Sequence, residues 1–285
     1  MKNTAIIRIV CPDRKGIVAA IADFLFEKNG NIVHADQHED GENGLFFMRV
    51  EWDLTDFTLE SDPAFRAAFA PLAESFAMRY QLDFTRRKLR VAVFVSKYDH
   101  CLADLLYRHR AGEIPCEMAV VIGNHADTKP LADYHDVPFV HIPVPKDDKA
   151  GAEARQIAAI EQNGADLIVL ARYMQILSPE FVARYPQRII NIHHSFLPAF
   201  IGAKPYHRAF ERGVKLIGAT GHYVTEVLDD GPIIEQDVLR ITHRDGLDDL
   251  IQKGRDVEKS VLSRAVRWHC EHRIVVNGNK TYVFD

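Results

Sequence analysis

The sequence is short of several things at once. Its 285 residues include 4 cysteines, Cys11, Cys101, Cys116 and Cys270, and no two fall at CxxC spacing. Such scattered thiols predict neither a disulfide framework nor a structural zinc site, and they suit a cytoplasmic protein. A basic surplus is also missing: 35 Lys and Arg stand against 40 Asp and Glu, a net charge of −5. Residues 1–86 hold 9 against 14, which leaves the remainder balanced at 26 against 26. Neither part has the cationic excess that neutralises a phosphate backbone, so no nucleic-acid partner is expected. Long apolar runs are lacking too. Ala165–Arg172 is interrupted by Asp166 and falls well short of the ~20 residues that span a bilayer. The first eight residues, which include Lys2 and Arg8, have no long apolar segment and no small-residue cleavage site. A signal peptide and a membrane association are therefore not expected.

What is present is ordinary globular composition, 47% hydrophobic and 26% charged, in a length suited to two domains. Ala5–Cys11 alternates like a strand, and Ile17, Val18, Ile21, Ala22, Leu25 and Phe26 recur at helical spacing before Asn29-Gly30. Asn31–Gln37 and Leu45–Trp52 read as two strands joined through Gly41-Glu42-Asn43-Gly44. Pro63–Ala77 reads as a helix and Met78–Phe84 as a strand. The order βαββαβ over residues 1–86 predicts a ferredoxin-like domain. After Arg86-Arg87-Lys88 the pattern changes. Leu89–Ser96, Glu117–Gly123, Pro138–Ile142, Ala165–Leu170 and Arg188–His193 are apolar strands, with helical stretches around Leu102–His109 and Glu153–Asn163. Strands without polar alternation, separated by helices, predict an α/β domain over 87–285 with a mostly parallel sheet, Rossmann-like in type. Gly218–Val224 and Ile233–Val238 read as later strands, Val257, Val261, Leu262, Ala265 and Val266 as one helix face, and Arg273–Phe284 as a hairpin.

The stretch Arg188–Pro198 carries the most chemistry. Asn191 and His193 sit two apart on a strand of isoleucines, so they share a face, at the carboxyl end where open α/β sheets bind ligands. An amide beside an imidazole is a natural donor pair for a developing oxyanion; a polar strand end bonded to the next loop is an equal reading of the spacing alone. Asp229-Asp230-Gly231-Pro232 is a turn, and a carboxylate there could orient or deprotonate a water. His207 and His222 could line the same cleft, with a strand histidine satisfied by backbone an equal reading of His222. Arg172 and Lys204 could meet an anionic substrate or product, although exposed bases are commonly just solvated. His269 and His272 can share a helix face, but no second ligand pair accompanies them, so no metal is expected.

Together these segments resemble the formyltransferase family that uses 10-formyltetrahydrofolate. The resemblance covers roughly residues 88–285. It rests on Asn191-Ile192-His193-His194-Ser195-Phe196-Leu197-Pro198, on His222-Tyr223-Val224 through Asp229-Asp230-Gly231-Pro232, and on Tyr173-Met174-Gln175-Ile176-Leu177-Ser178. It implies Asn191, His193 and Asp229 as the catalytic trio. It also implies Met174, Gln175, Leu177, Val224, Lys204 and His222 as substrate contacts, with no permanently bound cofactor. Residues 1–86 resemble an ACT domain through Cys11-Pro12-Asp13-Arg14-Lys15-Gly16-Ile17-Val18 and Asn29-Gly30-Asn31-Ile32. That resemblance implies an amino-acid effector, glycine or methionine, near Asp13, Arg14, Gly16, Ile17 and Asn31, or a purely assembling role. A homo-oligomer, dimer or tetramer, is expected.

Ser96-Lys97-Tyr98-Asp99-His100-Cys101 follows the first strand of the second domain. It lacks glycines whose backbone could wrap a ribonucleotide phosphate. Charge balance speaks against a tRNA acceptor. The expectation is therefore that water accepts the formyl group, giving formate and tetrahydrofolate. Transfer to an amine of the glycinamide ribonucleotide type, and a non-catalytic folate- or amino-acid-sensing regulator, are the alternatives. His194 stands where the transferases usually have Pro, and Lys204 where some carry a histidine.

Overall fold

A computed structural model describes residues 3–59, 61–199 and 205–284. By internal contacts the chain forms two units. One runs to Lys88 and includes His272–Asn277 and the chain from Tyr282; the other comprises Leu89–Glu271 and Gly278–Thr281.

The first unit contains β1 (Thr4–Pro12), α1 (Ile17–Glu27), β2 (Asn31–Asp40), β3 (Leu45–Asp53), α2 (Asp62–Ser75) and β4 (Arg79–Phe84). Its sheet has the order β2-β3-β1-β4 with antiparallel pairs throughout. Ile17, Ile21 and Leu25 fall four apart and are buried on one face of α1, as a 3.6-residue period requires. α2 begins where the Ser61 hydroxyl accepts from the Ala64 N–H at 3.4 Å, with Asp62 in the first turn. Between helices and sheet lies a core in which Phe65 stacks on Trp52 and Phe69 at centroid distances of 5.4 Å.

The second unit contains β5 (Leu89–Val95), α3 (His100–Arg110), β6 (Cys116–Gly123), α4 (Lys129–Tyr134), β7 (Phe139–His141), α5 (Lys149–Gln162), β8 (Leu167–Ala171), α6 (Pro179–Arg184), β9 (Ile189–His193), α7 (Pro205–Arg212), β10 (Leu216–Tyr223), β11 (Ile233–Arg240) and α8 (Leu247–Cys270). The sheet order is β11-β10-β9-β8-β5-β6-β7. It is parallel from β9 through β7, with β10 and β11 antiparallel at one edge. The expected α/β class and mostly parallel sheet are present. β5, β6 and β8 are buried almost throughout, which explains their lack of polar alternation. Strand order reverses between β5 and β8, and the carboxyl ends of β5, β8 and β9 meet at that reversal, the place where such sheets bind ligands.

Three short helices, α4, α6 and α7, were not foreseen. With six to eight residues each, they span about two turns, too few for an apolar period to register. α8 also starts ten residues before the apolar positions that predicted it, because its first turns present Asp248, Asp249 and Lys253.

The last strands, β12 (Ile274–Asn277) and β13 (Lys280–Val283), form the foreseen hairpin. Where the sequence placed this tail wholly in the second domain, most of it belongs with the first unit. Val275 and Phe284 pack with Val10 and Phe47, and Tyr282 stacks on Phe47 at 3.8 Å. Arg8 and Arg49 donate to the carbonyls of Ile274 and His272 at 2.7 and 3.0 Å. This explains why β1 is buried at nearly every position rather than at alternate ones.

Candidate active site

β9 places Asn191 and His193 on one face, with Ile190 and Ile192 on the other. In the antiparallel register of β10, His222 stands directly opposite Asn191, and the Asn191 amide nitrogen lies 3.2 Å from His222 Nε2. The tautomer follows from the other ring nitrogen. His222 Nδ1 is 2.9 Å from the Tyr223 carbonyl oxygen, which can only accept, so Nδ1 carries the hydrogen. Burial holds the His222 pKa below its ordinary value, against the opposing effects of the Tyr223 carbonyl and Asp229. The ring is thus neutral, Nε2 accepts from Asn191, and the amide has its second N–H left for the cleft.

Asp229 lies in the loop between β10 and β11, in left-handed backbone at φ 56°. Its side chain is 7% exposed, with Oδ2 3.3 Å from His193 Nδ1 and Oδ1 3.8 Å from His222 Nε2. The second approach is not a hydrogen bond, since His222 Nε2 bears no hydrogen. Burial opposes ionisation of Asp229, but the His193 hydrogen bond and the surrounding histidines outweigh it and lower its pKa. The carboxylate is therefore an anion at neutral pH. The downward shift makes it a weak base toward free water, so it can take a proton only as the attacking water bonds to carbon and becomes acidic. His193 is 4% exposed, and its Nε2 is buried without a hydrogen-bond partner on the wall of the cleft.

The cleft has a volume of about 270 Å³ and is walled by Asn191, His193, His222 and Asp229 together with Met174, Gln175, Leu177 and Val224. Every described residue that the sequence assigned to substrate is thus on one surface. Lys204 lies outside the described residues. His207 departs from expectation: it stands on α7 beside an adjoining cavity rather than on this cleft. The 172–178 loop is pinned by bonds that no motif announces. Met174 N donates to Ser96 Oγ at 2.9 Å, Gln156 Nε2 to the Tyr173 hydroxyl at 2.8 Å, and Ser178 N to Glu153 Oε1 at 2.8 Å. Met174 and Ile176 are left more than half exposed on its rim. The opposing loop turns tightly at Gly231, where a Cβ would overlap the Tyr223 carbonyl oxygen.

Among the described residues, one trio approaches like metal ligands, His100, Cys101 and Glu258. The Glu258 oxygens are already engaged by His100 at 2.8 Å and the Tyr206 hydroxyl at 2.5 Å. His269 Nδ1 bonds the Tyr223 hydroxyl at 2.7 Å, whereas His272 Nδ1 lies 3.3 Å from Asp83. In the first unit Asp13, Arg14, Gly16 and Asn31 are exposed, while the Ile17 side chain is core. Arg14 is engaged at the end of α2, donating to the Ser75 carbonyl and lying 4.2 Å over the Phe76 ring.

Residues 89–266 match the formyl transferase family and residues 5–57 the ACT domain. The chain is 54% identical to a formyltetrahydrofolate deformylase of Synechocystis sp. over 100% of both sequences. The chain belongs to the formyltetrahydrofolate deformylase family. A solved deformylase of Pseudomonas syringae pv. tomato superposes with a TM-score of 0.96 at 50% identity, covering 100% of this chain and 95% of that one. A glycinamide ribonucleotide transformylase of Symbiobacterium toebii superposes with a TM-score of 0.67 at 32% identity, covering 98% of that chain and 72% of this one. The likeness to deformylases thus extends over both units, whereas the transformylase leaves more than a quarter of this chain without a counterpart. Among the described residues, no helix is long and apolar enough to cross a membrane.

Proposed function

We propose that this chain hydrolyses 10-formyltetrahydrofolate to formate and tetrahydrofolate, with Asn191, His193 and Asp229 as the catalytic residues. The observation that carries this reading is the convergence on one cleft of an oriented amide donor, an unpartnered imidazole nitrogen and an ionised carboxylate. Substrate binds with its formyl oxygen toward Asn191 and His193 Nε2, and water stands against Asp229. Attack of water on the formyl carbon forms the new C–O bond while a proton passes to Asp229. The formyl oxygen becomes an oxyanion held by the Asn191 N–H and by protonated His193, the arrangement in which fixed dipoles act most strongly. Collapse breaks the bond from carbon to N10. N10 takes a proton from His193, Asp229 returns one to His193, and formic acid ionises in solvent. The product formate would serve purine synthesis and the balance of one-carbon pools.

The decisive assay mixes purified protein with 10-formyltetrahydrofolate, with and without an amine acceptor. Formate release without acceptor is the expected result. Turnover that requires the amine would make the chain a transferase, and no turnover at all would make it a regulator.

A cytoplasmic location belongs to the same proposal, as do a glycine or methionine effector and assembly into a dimer or tetramer. Support comes from the ACT domain match and from the exposed edge strand β2, which offers unpaired backbone to a second copy. Titration of each amino acid against formate release tests the effector, and sedimentation equilibrium tests the assembly. Unchanged activity with both amino acids, or a monomer at micromolar concentration, would remove the corresponding part.

A further inference from the structure

A second cavity of about 190 Å³ adjoins the folate cleft and shares Arg172, Met174 and His194 with it. Arg172 is its unusual member. It sits in left-handed backbone at φ 61°, a conformation that a long side chain seldom adopts and that concentrates at functional sites. Its side chain is 10% exposed, with Nε 3.4 Å from Glu258 Oε2 and the guanidinium carbon 5.4 Å from the Tyr98 ring centroid. Nη1 is buried and has no hydrogen-bond partner. A buried cationic donor without an acceptor is unfavourable, and it marks a place where an acceptor belongs.

The surrounding charges say which acceptor. Arg255, exposed on α8, brings a second guanidinium to within 5.6 Å of the same Tyr98 ring. Glu258 is 1% exposed and also receives His100 and Tyr206, so its single negative charge offsets one of the two arginines. His194 is neutral at physiological pH, because burial and then Arg172 hold its pKa down at about 3. Among the described residues lining the cavity, two arginines thus face a single carboxylate. That balance disfavours a cation at the His100–Cys101–Glu258 cluster and suits a small anion. Planar forked donors match a carboxylate in particular.

We propose that this cavity is a carboxylate subsite that takes formate as it leaves the hydrolytic centre, with Arg172 and Arg255 as its donors. The assignment of formate rests on the hydrolysis proposed above; the anion site rests on the cavity itself. Arg172 borders both cavities, so the product needs no passage through the folate to reach it. A retained formate would appear as a product inhibitor that does not require the folate to have left.

The test uses the full chain without folate. Titration with ¹³C-formate, followed by NMR line broadening, is expected to saturate, and both Arg172→Met and Arg255→Ala are expected to weaken it at least tenfold. Circular dichroism checks folding, and Arg255, on the solvent side of α8, supplies the reading should Arg172→Met fail to fold. Absence of saturation in the wild type, or equal binding in the folded variants, would overturn the proposal. A second arm adds tetrahydrofolate carrying one or three glutamates. If only the triglutamate displaces formate, the site belongs to the folate tail and the formate assignment fails. Because no turnover is needed, a protein that binds formate at Arg172 yet releases none from 10-formyltetrahydrofolate would overturn the hydrolytic reading while leaving the carboxylate subsite standing.

Discussion

Replacing His222 by leucine removes the acceptor that orients the Asn191 amide while keeping an apolar side chain of similar bulk on β10. The bond lost is neutral and 3.2 Å long, worth about 1 kcal/mol net, or roughly a fivefold change in rate if it acts wholly on the transition state. Deleting the donor itself, Asn191→Ala, should lower kcat by about 10²–10³, the usual effect of losing one oxyanion contact. These two losses should not multiply. If His222 works through Asn191, the double variant should be no slower than Asn191→Ala alone, leaving a coupling of about 1 kcal/mol in the double-mutant cycle. The measurement is initial-rate formate release for the four proteins, with circular dichroism to confirm that each is folded. A double variant a further fivefold slower than Asn191→Ala would show His222 acting independently and would refute the assigned tautomer and its role. His222→Leu as slow as Asn191→Ala would refute it equally, because one neutral bond cannot account for that loss.

Asp229→Asn keeps the shape of the loop but loses the charge facing His193, and should lower kcat by roughly 10³–10⁴, as when a catalytic imidazole loses its carboxylate; folate binding measured by fluorescence quenching should persist, and near-normal turnover would sink the assignment. Since the Asp229 pKa is lowered, the acid limb of kcat/KM due to this group should lie below the ordinary carboxylate value of about 3.9, and a limb above it would contradict the geometry. Burial, against the pull of Asp83, lowers the His272 pKa to about 4, so between pH 6.5 and 4 the unfolded chain binds a proton that the folded chain does not. Stability should therefore fall with acidification across that window, by at most about 1.4 kcal/mol per pH unit for this group, and His272→Asn should flatten the slope of denaturation free energy against pH. Gly231→Ala should cost about 1–3 kcal/mol, the range for overpacking a close contact, with a raised KM for folate as the 224–230 loop shifts; an unchanged melting temperature would show that the turn has room.

Much of the site was legible because its residues sit in short local patterns. A period of two on β9 puts Asn191 and His193 on one face whatever the rest of the fold does, and Asp-Asp-Gly-Pro marks a turn because Gly231 admits no Cβ there. The βαββαβ order was legible for the same reason, since apolar residues repeat at two or at three to four over whole elements. Short helices such as α6 left no such signal. The support of the 172–178 loop was invisible for another reason: Ser96, Glu153 and Gln156 are ordinary polar residues, and only the meeting of β5 and α5 with that loop gives them partners. His207 was one of two histidines that could have lined the cleft, and it lies beside the neighbouring cavity because α7 carries it there.

The two-domain plan and the parallel apolar strands were determined by sequence alone, because each depends on residues close together in the chain; Asn191, His193 and Asp229 were picked out as a set by the resemblance to the formyltransferase family. Tertiary structure decided the rest. It set which nitrogen of His222 carries the hydrogen, that Asp229 is more acidic rather than more basic, that most of the tail from His272 onward belongs to the first unit, and that Arg172 is buried with an open donor. Each of these depends on burial and on distances between groups far apart in sequence, and desolvation and Coulomb energies exist only once those distances are fixed.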